Sequence, residues 1–139
     1  MHLVLADLAA RYSCTWLHDH VIIYADDVHL RWRTQRLSDS LTALSDLDHI
    51  LRIFRMYGFT INLDKSVVLF RAVGKGASRF TKRWVIRTKN GPFLTMPDSQ
   101  TRLPMVSKTA YLGVIIGYRT WETDTVARRL QAAQMCFQF

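Results

Sequence analysis

The chain has 139 residues, which make one domain or a piece of a larger protein, and 49% of them are hydrophobic, enough to bury a core. Its apolar runs are far shorter than the roughly 20 residues of a membrane span, so we expect an intracellular protein, in the nucleus or the cytoplasm, that does not associate with membranes. The net charge of +8 is concentrated in residues 71–139, with 12 basic and three acidic side chains, and favours a polyanionic partner over a surface that is basic only for solubility.

The first part of the chain predicts a short helix followed by a β-hairpin. Residues 3–12 have helical apolar spacing, and residues 14–17 and 20–25 are predicted to be extended. The segment Val21–Tyr24 is β-branched and aromatic and apolar on both faces, as a buried strand is. A turn at Asp26 and Asp27 then leads into a second strand, so two adjacent carboxylates lie at the tip of the predicted hairpin.

A long amphipathic helix is predicted next, and its apolar residues step by three or four to form one stripe. The stripe consists of Leu37, Leu41, Leu44, Leu47, Leu51 and Phe54. Ser38 or Asp39 is suited to cap its start, and Gly58 to end it. We expect this helix to pack across one face of a sheet.

The second half of the chain is predicted to contain short strands and one final helix. Extended segments are expected at residues 59–62, 67–71, 84–87 and 108–118. The prolines Pro92, Pro97 and Pro104 predict an irregular segment over residues 92–104. Asp124 or Thr125 is expected to open the last helix, in which Val126, Leu130, Ala133 and Phe137 align.

The adjacent carboxylates of Asp26 and Asp27 are the sharpest chemical feature of the sequence. They repel each other unless a cation neutralises them, and Mg²⁺ or Mn²⁺ commonly binds one or two carboxylates together with substrate phosphates. Two such ions can activate an attacking oxygen and stabilise a leaving one. The alternative is an ordinary solvated turn, because aspartate is favoured in turns.

Three ordered segments resemble the reverse transcriptases (RNA-directed DNA polymerases), most closely those of non-LTR, LINE-type retrotransposons. The hairpin Val21–Asp27 resembles the family's catalytic motif, an aromatic residue, any residue and two aspartates. The segment Gly58–Ser66 resembles the Gly-hydrophobic-x-Ile-Asn-x-x-Lys-Ser/Thr stretch that follows the long palm helix. Tyr111-Leu112-Gly113 resembles the Tyr-Leu-Gly of the primer-grip region.

The resemblance implies an α+β fold, with a partial polymerase palm over residues 1–118 and the start of a thumb helix over residues 119–139. It implies nucleotidyl transfer to a primer 3′ hydroxyl, with RNA template, DNA primer and dNTP as partners and Mg²⁺ or Mn²⁺ as cofactor. The implied roles are metal binding and catalysis for Asp26 and Asp27, a position near the incoming triphosphate for Lys65, and primer contact for Tyr24, Tyr111, Leu112 and Gly113. Read from residue type alone, Lys65 is a solvated lysine and Tyr111 to Gly113 an ordinary core strand.

A cluster of basic residues between the second and third segments is the candidate nucleic-acid-binding surface: Lys75, Arg79, Lys82, Arg83, Arg87 and Lys89. With Phe80 and Trp84 available for stacking, this surface is predicted to follow a phosphate backbone without reading sequence.

Two departures from the family pattern bear on activity. Neither Asp7 nor Asp19 stands in the setting of the family's upstream metal-binding aspartate, and no Gln-Gly-x-Pro segment is present. We therefore expect a palm fragment that is inactive alone. Two alternatives stay open, namely a non-catalytic nucleic-acid-binding remnant and a small Mg²⁺-dependent phosphoryl-transfer domain unrelated to polymerases.

Overall fold

The computed structural model describes residues 1–112, 114–118 and 120–136, and this part of the chain has a mixed α+β fold. Its helices are α1 His2–Tyr12, α2 Cys14–His20, α3 Leu37–Met56, α4 Ala77–Trp84 and α5 Trp121–Cys136. Its strands are β1 Val21–Tyr24, β2 Asp27–Leu30, β3 Val68–Leu69, β4 Val85–Thr88, β5 Gly91–Thr95, β6 Arg102–Val106, β7 Lys108–Tyr111 and β8 Val114–Gly117. The mixed α+β class agrees with the prediction.

The chain divides into two compact units, each described by itself. The first unit contains Met1–Asn62 and Thr95–Thr101, and the second contains Leu63–Leu94 and Arg102–Phe139. No helix in the described part of the chain is long and apolar enough to cross a membrane.

The core of the first unit lies between α1 and α3. Its buried residues are Val4, Leu8, Ile50, Ile53 and Phe54, and half-buried side chains of the hairpin, Val28 and Leu30, pack against them. The hairpin therefore packs on the long helix, as predicted. The predicted stripe is right for Leu44, Leu51 and Phe54 but wrong for Leu41, which is 40% exposed.

Residues 14–20 form helix α2, and the prediction of an extended segment at 14–17 was wrong. Ser13, at φ 97°, ends α1, and its side-chain oxygen accepts a hydrogen bond from the backbone N–H of Trp16 at 3.2 Å. The indole of Trp16 stacks between the rings of Tyr12 and His20, at centroid distances of 4.3 and 4.4 Å. These three residues are spaced four apart, so the aromatic stack supports the helical conformation.

Helix α3 begins one residue before the predicted cap. Its N-cap is Arg36, and the carboxylate of Asp39, in the first turn, accepts hydrogen bonds from the backbone N–H groups of Gln35 (3.0 Å) and Arg36 (2.8 Å). These hydrogen bonds lower the pKa of Asp39. Asp39 therefore stabilises the N-terminus of α3 from a position in the first turn, and it is not the N-cap residue.

The second unit is built on strands β3, β6, β5 and β4, which lie in this order in one sheet. Strand β3 pairs with β6 in parallel, and β4 pairs with β5 antiparallel around the turn at residues 89–90. Pro92 lies in β5 and Pro104 in β6, so the prediction of an irregular segment was wrong at both ends and right only for residues 96–101, around Pro97. Strand β3 is only two residues long and faces Met105 and Val106, so Pro104 lies beyond that ladder and no hydrogen bond to β3 is lost.

Strands β7 and β8 form a second hairpin, and α5 follows it. Helix α5 begins at Trp121, earlier than predicted. Two side chains of its first turns bind the hairpin: Asp124 pairs with the ammonium of Lys108 at 3.0 Å, and the hydroxyl of Thr125 accepts from the backbone N–H of Ile115. The predicted contact residue Phe137 lies outside the described residues.

Candidate metal site and candidate nucleic-acid interface

The two adjacent carboxylates lie at the tip of an antiparallel hairpin. Tyr24 pairs with Asp27 at the end of the ladder, and Ala25 and Asp26 form the two-residue turn. The turn is thus one residue earlier than predicted, and Asp27 begins β2. Both aspartates are exposed, and neither carboxylate forms an ion pair or hydrogen bond with the part of the chain that the structure describes.

Ala25 holds the turn in a conformation that alanine rarely adopts. Its φ is +54° at the first position of the two-residue turn, where glycine is the preferred residue because it adopts a positive φ without a Cβ penalty. The left-handed conformation costs a residue with a Cβ about 1–2 kcal/mol. Strain of this kind is found at functional sites, where surrounding structure maintains it.

The two faces of β1 differ, contrary to the prediction of a strand buried on both. Val21 and Ile23 are half-buried, whereas Ile22 and Tyr24 are exposed, Tyr24 by 61%. Directly paired residues project from the same face of an antiparallel ladder, so the exposed ring of Tyr24 shares its face with Asp27. An aromatic surface therefore adjoins one of the two carboxylates.

The carboxylates fit a divalent ion held partly by other ligands. Mg²⁺ binds one or two carboxylates and completes its shell with water and phosphate oxygens. The described residues contain no group of three or more His, Cys, Asp or Glu side chains that could hold a metal. Asp26 and Asp27 are therefore suited to a metal–phosphate complex and not to a closed protein site.

The other residues implied by the resemblance lie in the second unit. Lys65 is exposed in the turn at residues 63–65. Tyr111 ends β7, and Leu112 follows at φ 47° with a side chain that is 55% exposed. Gly113 lies outside the described residues. The structure thus brings Tyr24, Asp26 and Asp27 together in one hairpin of the first unit. In the second unit, Lys65 lies in a turn, and Tyr111 and Leu112 lie at the end of β7.

The six basic residues of the candidate nucleic-acid interface are all exposed. Arg79, Lys82 and Arg83 belong to α4, a helix that the sequence analysis did not predict, Arg87 lies on β4, and Lys75 and Lys89 lie in flanking loops. Phe80 is 4% exposed and packs on Phe70, with ring centroids 5.0 Å apart. The prediction that Phe80 stacks on bases was therefore wrong, because its ring belongs to the core.

A buried carboxylate that was not predicted from the sequence belongs to Asp48 on α3. Asp48 is 1% exposed and accepts hydrogen bonds from the backbone N–H groups of Asp98 (2.7 Å) and Ser99 (3.1 Å) and from the Ser99 hydroxyl. Burial alone raises the pKa of Asp48, but these hydrogen bonds and the charge of Arg52 together lower it. The available signal was its position on the apolar face of α3, between Leu44 and Leu51.

A shallow groove between α1 and α3 contains His49, whose pKa is also shifted. Asp7, Arg11 and Arg52 also line this groove. Burial lowers the pKa of His49, as do the positive charges of Arg11 and Arg52, while Asp46 and Asp7 act in the opposite direction. The imidazole is therefore held in its neutral form at neutral pH.

Comparison of the chain with protein-family models, curated proteins and solved structures finds no match. What the described residues define is thus a mixed α+β protein with an exposed acidic hairpin in one unit and an exposed basic helix in the other. Its resemblance to reverse transcriptases rests on the motifs of the sequence.

Proposed function

We propose that the chain is a segment of an RNA-directed DNA polymerase, whose Asp26 and Asp27 bind Mg²⁺ or Mn²⁺ for nucleotidyl transfer. The observation that carries this proposal is the hairpin itself, which presents two unpaired carboxylates at its tip beside the exposed ring of Tyr24. A hairpin tip leaves both carboxylates accessible to a metal and to the phosphates of a large substrate. An aspartate pair buried within a helix would not do so.

The metal supplies the charge that stabilises a departing pyrophosphate and lowers the pKa of an attacking hydroxyl. The chain contributes the carboxylates of Asp26 and Asp27, which hold such an ion, and the ring of Tyr24, which offers an apolar surface to a nucleoside. Lys65 carries a positive charge suited to a triphosphate. Because the family's upstream aspartate has no counterpart at Asp7 or Asp19, we expect the isolated chain to bind metal and nucleotide weakly and to extend primers poorly.

The most direct test is a Mn²⁺ titration of the isotope-labelled chain in the presence of a primer–template and a dNTP. Paramagnetic broadening of the amide resonances at residues 24–28 is expected in the wild type and lost in Asp26→Asn. Glu122→Gln is the matched control, because it removes one exposed negative charge from another element. Absence of broadening at these residues in the wild type would refute metal binding at the hairpin. Equal broadening in the wild type and Asp26→Asn would refute a role for the Asp26 carboxylate.

A second candidate function is nucleic-acid binding without catalysis, by a remnant of such a polymerase. A long basic segment without carboxylates favours it. Residues 65–97 contain eight Lys and Arg side chains and no Asp or Glu. Nucleic-acid binding that persists in Asp26→Asn and weakens with salt, while Mn²⁺ broadens no resonance of residues 24–28 in the wild type, would favour this candidate. Extension on an RNA template that Asp26→Asn abolishes would favour the polymerase.

A further inference from the structure

Helix α4 carries its positive charges on one face. Arg79, Lys82 and Arg83 are spaced by three and four residues, which places them side by side on the helix surface. All three are exposed. From the first to the last, the axis advances roughly 6 Å. The face is therefore a compact row of cations.

The opposite face of α4 is occupied by the core of its own unit. Phe80 is buried against Phe70, and Ala77, Thr81 and Trp84 are half-buried. This packing fixes the rotation of the helix about its axis. Because the apolar face is anchored, the cationic face is held toward solvent.

In the part of the chain that the structure describes, no carboxylate neutralises the cationic face. Among the described residues, Arg79, Lys82 and Arg83 form no ion pair, and the nearest acidic residues along the chain are Asp64 and Asp98. The guanidinium of Arg83 does have one neighbour, the ring of Trp84, whose centroid lies 5.0 Å away. Three uncompensated charges on so short a segment favour a partner with closely spaced negative charges.

We propose that this face of α4 binds the sugar–phosphate backbone of double-helical nucleic acid, without regard to base sequence. The inference takes from the proposed function only the class of partner, nucleic acid, and is independent of Asp26 and Asp27. Proteins that bind single strands without sequence preference combine cations with exposed aromatic rings on which bases stack. Here the ring of Phe80 is buried, and that of Trp84 is half-buried beneath Arg83. A surface of charges without a stacking platform suits a partner whose bases are already paired.

Two other polyanions fit the helix less well. A helix that binds an anionic membrane inserts its apolar face into the lipid, but the apolar face of α4 is already packed within the protein. An acidic protein partner would require an apolar, Lys-poor interface centre. The solvent-facing side of α4 carries only Ser78 and the three cations. A backbone that presents about one charge per 1.7 Å of helix axis matches such a surface best.

The test is the salt dependence of binding to a labelled duplex and to a single strand of the same sequence and length, measured by fluorescence anisotropy. The variant is Arg79→Gln/Lys82→Gln/Arg83→Gln. Loss of three phosphate contacts is expected to reduce the slope of log K against log salt by about 2.7 on duplex DNA. Between about 50 and 200 mM salt, this means that the wild type loses about 40-fold more affinity than the variant. The wild type is expected to bind the duplex more tightly than the single strand.

The matched control removes three exposed arginines, from the loop before α3, from β6 and from α5, in Arg33→Gln/Arg102→Gln/Arg128→Gln. It has the same net charge as the α4 variant and is expected to retain the wild-type slope within about one unit. Arg79→Lys/Arg83→Lys, which keeps the charge, is also expected to retain it. Circular dichroism of each variant reports whether the fold is kept.

Three results would overturn the inference. Equal slopes for the α4 variant and its control would mean that total charge, not α4, determines binding. Tighter binding to the single strand would contradict the preference for a duplex. Competition by anionic vesicles or polyglutamate at the same charge concentration as the duplex would identify a surface without selectivity for nucleic acid. Because every arm can be repeated in Asp26→Asn, failure of the metal proposal leaves this test unchanged.

Discussion

The carboxylate of Asp48 in the middle of α3 accepts both a backbone and a hydroxyl hydrogen bond from Ser99, a residue 51 positions later in the chain. The Ser99 hydroxyl also contacts that of Thr101 at 2.8 Å, and Thr101 accepts from the guanidinium of Arg55 at 2.9 Å. The turn at residues 97–100 is therefore fastened to α3 by one polar network. The backbone N–H groups of Asp98 and Ser99 and the Ser99 hydroxyl all donate to the Asp48 carboxylate.

Asp48→Ala is expected to destabilise the fold by about 3 kcal/mol, because it removes a charged acceptor and leaves buried donors without a partner. Asp26→Ala, which removes an exposed and unpaired carboxylate, is the control and is expected to change the stability by less than about 0.5 kcal/mol. Urea denaturation followed by circular dichroism measures both. Similar effects of the two substitutions would contradict the role of Asp48.

The same carboxylate predicts a pH dependence at acid pH. The pKa of Asp48 in the folded protein is lowered from 3.8, so its ionised form stabilises the fold. That contribution is complete above the unfolded value and is lost as the pH falls through the folded pKa. The difference in unfolding free energy between the wild type and Asp48→Asn should be constant at neutral pH and shrink in this acid range. A difference unchanged by acid would refute the assignment.

Ala25→Gly is expected to stabilise the protein by relieving the strained hairpin turn. Glycine adopts a φ of +54° without the Cβ penalty, and the gain is about 1 kcal/mol, reduced by the greater freedom of glycine in the unfolded chain. The matched control is Ala10→Gly, the same substitution at an exposed position of α1, which should destabilise by about 1 kcal/mol. Thermal unfolding of the two variants should therefore give melting temperatures shifted in opposite directions.

Arg52→Gln is expected to raise the pKa of His49 toward its ordinary value, because it removes one of the two positive charges that lower it. Burial, the largest cause, remains and keeps the pKa below 6.5. The chemical shifts of the imidazole followed against pH measure the change. Arg33→Gln, which lies outside the groove, should leave the titration where it is. A titration insensitive to Arg52→Gln would show that the charge of Arg52 does not contribute to the lowered pKa.

His49 also affects stability, with a sign that follows from its lowered pKa. Between the folded pKa and the unfolded value of 6.5, the unfolded chain binds the proton more readily. The neutral imidazole therefore contributes stability that is present above 6.5 and lost as the pH falls through the folded pKa. The loss begins as the pH falls below 6.5 for His49 and below 3.8 for Asp48, so the two contributions start to decrease at different pH.

Strong local signals were sufficient to predict the acidic hairpin and helix α3. The β-branched segment Val21–Tyr24 and the two aspartates identify the first, and the leucine repeat identifies the second. Helices α2 and α4 were missed because they have only seven and eight residues, too few for a periodic pattern to be distinguished from a strand. Their conformation is supported by contacts between aromatic rings, which composition does not reveal.

The polar network and the strands that contain proline depend on partners distant in sequence. Asp48 interrupts an apolar stripe, but the residues next to it in the sequence do not indicate that Ser99 is its hydrogen-bond donor. Pro104 predicted an irregular segment, but it lies in strand β6. Strand β3 pairs only with Met105 and Val106, so Pro104 removes no hydrogen bond to β3. Pairing of this kind is decided by the tertiary fold, so it lies beyond local propensity.

The return of residues 95–101 to the first unit gives the two units an interleaved connectivity. Residues 1–62 on their own lack the turn that covers Asp48. Ending the chain at Asn62 would expose a carboxylate that has lost its donors at the centre of α3, while deleting the turn from a longer chain would have the same effect. A single cut in the chain therefore cannot separate the two units. A transfer of the first unit into another protein would have to include both Met1–Asn62 and Thr95–Thr101.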